Sequence, residues 1–202
     1  MKYIIATNNP QKLIELERIL SPLNINAVSP KQEGISLDDV EENGTTFKEN
    51  SFIKAEAACK KTGFPAIADD SGICVDALDG APGIFSARFG GEDADDNDKN
   101  NIILDKLSGV PLEKRGAHYT CAVTCVFPNG DCIQVEEKCF GKIAFEPDGD
   151  GGFGYDPIFL YNGVSFGNFS SEDKDKVSHR GKALRLFKDE LKKYLEENNV
   201  NQ

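Results

Sequence analysis

The chain has no tryptophan, one methionine and only two histidines among its 202 residues. It contains no C-x-x-C pair, and His118 and His179 are not at finger spacing, which argues against a zinc module. No apolar run approaches the length needed to cross a bilayer. The opening MKYIIATNNP turns polar after a four-residue apolar stretch, too short for a signal-peptide core. Positive charge is also scarce: 23 Lys and Arg against 34 Asp and Glu leave a net charge of −11. That balance argues against DNA or RNA as partner, because duplex binding relies on a basic face. It leaves room for a small anion, which needs only a few cations gathered in one cleft. The expectation is a cytoplasmic protein with no nucleic-acid and no membrane partner.

What is present is ordinary globular material. Hydrophobic residues make up 39% of the chain and charged residues 28%, and the length suits a single domain spanning 1–202. The six cysteines sit mostly in strand-like segments, with Cys121 and Cys125 alternating in YTCAVTCVF, so buried reduced thiols are expected.

The hydrophobic pattern reads as α/β. KYIIAT is a short buried-type strand. PQKLIELERIL follows as a helix with Asn9 as N-cap, Pro10 at the first helical position and Leu13, Leu16 and Leu20 on one stripe. TTFKENSFIKAEAACKKTG is a second helix, with Thr46 and Glu49 as a capping box and Gly63 as its stop. PAIADDSGICVDAL suggests a strand, a tight turn at Ser71-Gly72 and a further strand. DNDKNNIILDKL is a short helix, and two long strands meet at a Pro128-Asn129-Gly130 hairpin. GKALRLFKDELKKYLEE closes the chain as a helix with Leu184, Phe187, Leu191 and Leu195 on one face. A mixed sheet fits this order better than a regular doubly wound repeat. EDADDNDKN reads as a solvated loop and helix start; a calcium loop is rejected because Asp98 and Leu104 occupy the required glycine and terminal carboxylate positions.

Four constellations could carry chemistry. GDGGFGYDP places Gly149, Gly151 and Gly154 in a G-x-G-x-x-G pattern, yet Tyr155-Asp156-Pro157 and the strand-like IFLY follow where a dinucleotide fingerprint demands a helix. The loop instead offers an aromatic face, Phe153, and an acceptor, Asp156, to a planar ligand. ATNNPQK forms a strand-to-helix junction suited to an anion, with Lys12 in the first turn. ADDSG sets Asp69 and Asp70 at a strand end, suited to binding a divalent metal or accepting a proton from water; Glu41 or Glu42 could add an oxygen ligand. In SEDKDKVSHRGKAL, His179 and Arg180 stand at the electrostatically wrong end of a helix, which hints at a site.

Taken together, ATNN-x-x-K, EENGTTFKENS, ADDSG, GAPGIFSARF, GGFGYDPIF and SHRGKAL resemble, in this order, the inosine/xanthosine triphosphate pyrophosphatase (Ham1-like) family over nearly the whole chain. The resemblance implies an elongated, two-lobed α/β fold with a central substrate cleft, usually a homodimer. It implies Mg²⁺-dependent hydrolysis of ITP, dITP and XTP to the monophosphate and pyrophosphate. By the same resemblance Thr7, Asn8, Asn9, Pro10, Gln11 and Lys12 would contact the phosphates, helped by Lys54. Asp70 would accept the proton and bind metal beside Asp69, with Glu41, or alternatively Glu42, completing the metal site. Ser71 would touch substrate, and Phe153 would stack on the base with Gly154, Tyr155 and Asp156 lining its pocket. Lys174, His179 and Arg180 would hold the base and its surroundings. Asn8 departs from the glycine of many relatives. A pyrimidine-preferring Maf-type pyrophosphatase and a nucleotide sensor without turnover are the competing readings.

Overall fold

Among the described residues, seven strands build one mixed sheet in the order β2-β1-β3-β4-β5-β6-β7. They are β1 (Lys2–Ile5), β2 (Asn26–Val28), β3 (Ala66–Val75), β4 (Gly116–Val126), β5 (Cys132–Ile143), β6 (Phe159–Tyr161) and β7 (Val164–Ser165). β1 lies parallel to both β2 and β3, whereas β6 is antiparallel to β5 and β7. The helices are α1 (Pro10–Leu20), α2 (Phe47–Thr62), α3 (Asp96–Lys106), α4 (Ser171–Val177) and α5 (His179–Glu197). This computed structural model describes residues 2–7, 9–23, 25–91 and 93–198.

The chain divides into two compact units. The first comprises Met1–Asp70, Cys121–Glu137 and Arg180–Gln202, the second Ser71–Thr120 and Lys138–His179. β3, β4, β5 and α5 each start in one unit and continue into the other.

In the first unit, β1 is buried on both faces, which accounts for its unbroken apolar run. Tyr3 and Ile5 pack with Leu16 and Leu20 of α1 and Phe187 and Leu191 of α5. Ile4 points the other way, among Ala55, Ala58 and Cys59 of α2. Along α5, Leu184, Phe187 and Leu191 are fully buried; each such side chain contributes about 1.5–3 kcal/mol relative to exposure. The second unit has its own core of Ile73, Val75, Ile103, Leu107, Phe159 and Phe166, with the Tyr119 and Phe159 rings 4.7 Å apart.

Helix ends follow the capping chemistry with one change. Thr46 accepts from the Glu49 N–H at 3.1 Å, but the Glu49 carboxylate turns to the backbone N–H of Thr45 instead of closing the box on Thr46. Gly63 ends α2 in the left-handed region at φ +71°. At the hairpin, Phe127 N–H donates to the Asp131 carbonyl at 2.9 Å.

One reading needs correction, and two elements had none. No turn interrupts Ser71-Gly72, because β3 runs straight through as one strand. Gly72 is there for close approach: a Cβ would collide with the Gly83 carbonyl and the Ser86 side chain. Asp69 and Asp70 therefore lie inside a strand, not at its end. β2 was masked by the polar composition around it and is held by parallel pairing with β1. The segment SEDKDKV is helix α4, capped by Ser170, whose side chain accepts from Asp173 N–H at 3.1 Å.

Candidate active site

Strand alternation sends the Asp69 and Asp70 side chains to opposite faces of β3, and the first unit treats them differently. Asp69, 3% exposed, receives Lys12 Nζ at 2.9 Å and Arg180 Nε at 3.4 Å. Arg180, itself buried, extends Nη1 to Glu15 at 2.5 Å. Burial alone would raise the Asp69 carboxyl, but the cations of Lys12, Arg180 and Lys54 prevail and hold it well below the usual carboxylate range. Those same partners compensate for the basic start of α5, where Arg180 would otherwise oppose the helix dipole.

Asp70 goes the other way. Burial pushes its carboxyl above the ordinary value; Lys54 and Lys12 oppose that shift, while Glu42 and Asp69 add to it. Lys54 Nζ lies 3.5 Å from Asp70 Oδ1 and 2.9 Å from Glu42. Burial would discharge Lys54, but Asp70, Asp69 and Glu42 keep its pKa raised. Asp70 Oδ2 is buried without a hydrogen-bond partner. An orphaned carboxylate oxygen in a charged surround is costly unless a ligand completes it. Glu42, not the exposed Glu41, is the acidic residue that Lys54 brings toward this strand. Ser71, partly exposed, is the next residue within β3.

These residues suit a hard divalent ion such as magnesium, which takes one or two protein carboxylates and leaves other positions to water and phosphate. Among the described residues no group of three Asp, Glu, His or Cys side chains could hold a metal by itself. Phosphate oxygens would therefore have to complete the coordination.

The anion site expected at the start of α1 is only partly open. Asn9 Oδ1 accepts from the N–H groups of Gln11 and Lys12, at 2.9 and 3.2 Å. Pro10 at the first helical position has no N–H to offer. Thr7 Oγ1 accepts from Asn9 N–H at 3.2 Å. Side chains of Thr7, Gln11 and Lys12, not free helix amides, are what this turn can present to phosphate. Asn8 lies outside the described residues.

In the second unit, the glycine-rich loop leads through a short turn at Asp156–Ile158 into β6, so no helix follows the glycines. That arrangement excludes a dinucleotide-binding fingerprint. Asp156, 2% exposed, is bound inward: Oδ2 accepts from Phe153 N–H at 2.8 Å and from Lys174 Nζ at 2.5 Å. Lys174 also lies over the Phe153 ring, 4.6 Å from its centroid. Tyr155 is buried and donates its hydroxyl to the Ser86 carbonyl at 2.8 Å. His179 stacks on Tyr119 with centroids 4.4 Å apart and planes 5° from parallel. Adjacent in sequence, His179 and Arg180 thus serve different units. Phe153, Asp156 and Lys174 come together in one cluster, while Arg180 joins Asp69 and Lys12.

A model of the Ham1 family matches residues 3–190. The chain belongs to the Ham1 family. A dITP/XTP pyrophosphatase of Clostridium perfringens is 42% identical over 199 residues, covering 95% of this chain and 97% of that one. Another from Desulforamulus reducens is 46% identical over 187 residues, covering 92% of each. Among solved structures, a HAM1 protein from Coxiella burnetii superposes with a TM-score of 0.88 at 35% identity, covering 96% of this chain and 99% of that chain.

Several residues around these Ham1 clusters had no sequence signal of their own. Glu15 looks like any surface carboxylate of α1 until Arg180 is seen beside it. Ser86, inside GAPGIFSARF, carries no ligand-type pattern, yet its hydroxyl accepts from Ile73 N–H at 3.0 Å and donates to the Gly83 carbonyl at 2.6 Å. Asn100 is the detectable case: a polar residue one helical turn before Ile103, both buried on α3.

Proposed function

We propose that this protein hydrolyses the purine nucleoside triphosphates ITP, dITP and XTP to the monophosphate and pyrophosphate, removing deaminated purines from the nucleotide pool of the cytoplasm. The observation that carries this reading is the division of labour between Asp69 and Asp70. One carboxylate is neutralised by two cations; the other keeps a buried, unpartnered oxygen beside Lys54. Full-length similarity to proteins named dITP/XTP pyrophosphatase supports the substrate class.

In this reading Asp70 takes a proton from water as its oxygen attacks the α-phosphorus. The α–β bridging P–O bond breaks, and pyrophosphate departs with the bonding electron pair. Asp70, with Glu42 or Glu41, would hold Mg²⁺, whose charge offsets that developing on the phosphates. Lys12 and Lys54 add fixed positive charge, Thr7 and Gln11 offer side chains to the phosphates, and Ser71 touches substrate. Asp69 acts by orienting Lys12. Base recognition is assigned to Phe153, stacking on the purine, with Gly154, Tyr155, Asp156, Lys174 and His179 shaping its surround. Arg180 contributes through Asp69 and Glu15. A donor meeting the 6-keto oxygen would reject adenine, whose 6-amino group leaves donor against donor.

The whole chain acts as one catalytic domain in this reading, paired in a homodimer. The exposed rings of Phe140 and Phe145, 68% and 62% accessible, are consistent with a covered surface.

Pyrophosphate release with Mg²⁺ across ITP, dITP, XTP, GTP, ATP and UTP tests the activity. Efficiency at least about 10²-fold higher on ITP, dITP and XTP than on ATP is expected. Equal turnover of all six, or faster turnover of UTP, would overturn the proposal.

A further inference from the structure

The acidic start of α3 does more than sit in solvent. Asp95 caps the helix in a closed box with Asp98, so Asp96 is free of capping duty. Asp96 Oδ2 instead accepts from the backbone N–H of Gly154 at 2.7 Å. One turn later, Asn100 Nδ2 donates to the carbonyl of the same Gly154 at 3.1 Å. Residues four apart share a helix face, so a single helical edge grips both backbone polar groups of one glycine. Gly154 is at φ +64°, a conformation other residues adopt at a cost, and it follows Phe153 directly. Asn100 is 2% exposed, an amide turned inward from a mostly polar helix. A buried amide is retained where its hydrogen bond matters.

Two further ties hold the loop. The Asp156 carboxylate accepts from Phe153 N–H, and the Tyr155 hydroxyl is fixed to Ser86. Three consecutive residues, Phe153 to Tyr155, are therefore pinned by different elements, while the Phe153 ring stays partly exposed. A stacking surface is useful only if its plane is set before the ligand arrives, since ordering it afterwards subtracts from affinity.

We propose that Asp96 and Asn100 are positioning residues for base recognition: α3 clamps Gly154 and so presets the plane of Phe153. The inference rests on the reading that Phe153 stacks on the purine. Its signature is an effect on the base and none on the phosphates.

The test measures ITP hydrolysis by Asp96→Ala, Asp96→Asn, Asn100→Ala and Phe153→Ala, alongside inhibition by inorganic tripolyphosphate. Asp96→Ala removes an exposed side chain and leaves the Asp95–Asp98 cap intact, so folding is preserved. About a tenfold rise in KM for ITP is expected for Asp96→Ala and Asn100→Ala, the loss of one hydrogen bond to a charged or buried group, with kcat within about twofold and tripolyphosphate inhibition unchanged. Asp96→Asn keeps the acceptor oxygen and should restore KM to near the parent value. A raised KM in Phe153→Ala with none in the Asp96 and Asn100 alanine variants overturns the clamp alone. An unchanged KM in Phe153→Ala overturns the stacking reading itself. Equal loss of tripolyphosphate binding and ITP binding in the clamp variants would assign Asp96 and Asn100 to general stability and sink the proposal.

Discussion

The middle of β3 and the glycine-rich loop both hold a buried ion pair, and they use it in opposite ways. In the loop, Asp156 is satisfied from within by Phe153 N–H and Lys174, so the carboxylate shapes the backbone and leaves an aromatic face outward. On β3, Asp69 is satisfied by Lys12 and Arg180, but its neighbour Asp70 keeps one oxygen without a partner. The loop is complete as it stands. The β3 pair is not. A strand can tolerate such an incomplete group because the backbone hydrogen bonds of its sheet do not depend on it, whereas an irregular loop needs its polar groups for its own conformation.

Breaking the incomplete side should give the largest effect. Asp70→Asn removes the proposed proton acceptor and is expected to lower kcat by about 10³-fold, within the range of general-base losses. It should also raise thermal stability at pH 7 by on the order of 1 kcal/mol, roughly 2–4 °C, because a buried charge with an unpartnered oxygen is relieved. Steady-state pyrophosphate release and a melting curve on the same sample check both halves. A variant with near-parent turnover would remove Asp70 from its role.

Asp69→Asn should show the reverse pattern in stability. It strips the counter-charge from Lys12 and Arg180, and breaking a buried pair costs about 3–5 kcal/mol. Denaturant unfolding measures this; a loss below about 1 kcal/mol would show that Glu15 alone suffices for Arg180.

The smallest effect separates the two aspartates by pH. The Asp69 carboxyl is depressed in the folded state, so its stabilisation is present above the unfolded value of 3.8 and is lost as pH falls through the folded value. The Asp70 carboxyl is raised, so its favourable, protonated contribution is complete below 3.8 and disappears as pH rises through the folded value. The gain in melting temperature from Asp70→Asn should therefore shrink from pH 7 toward pH 4, while the deficit of Asp69→Asn persists over that range. Parallel pH profiles for the two variants would contradict the assignment.

Much of the site was legible as residue types. The ADDSG carboxylates, Lys12 and the Phe153–Asp156 loop drew notice from residue type and spacing, Lys54 came only from the family resemblance, and α1, α2 and α5 formed where periodicity placed them. The tight turn read into Ser71-Gly72 was a misreading of glycine, which signals close backbone approach as readily as reversal. α4 was hidden because six polar residues and the single Val177 make no apolar stripe; its Ser170 cap was the available sign.

Local chemistry along the chain was enough to determine the helices with good caps and the buried β1 run, and to single out the candidate side chains, since these depend on near neighbours and on hydrophobic period. Which charges meet was decided only by the tertiary structure. Arg180 and Asp69 are 111 residues apart, and Asn100 and Gly154 54 apart. No short-range pattern encodes such pairs. They exist because sheet pairing and burial bring distant segments together, and it is the placement of Lys12 and Arg180 that makes one of two adjacent aspartates a neutralised counter-ion and leaves the other with an unpartnered oxygen.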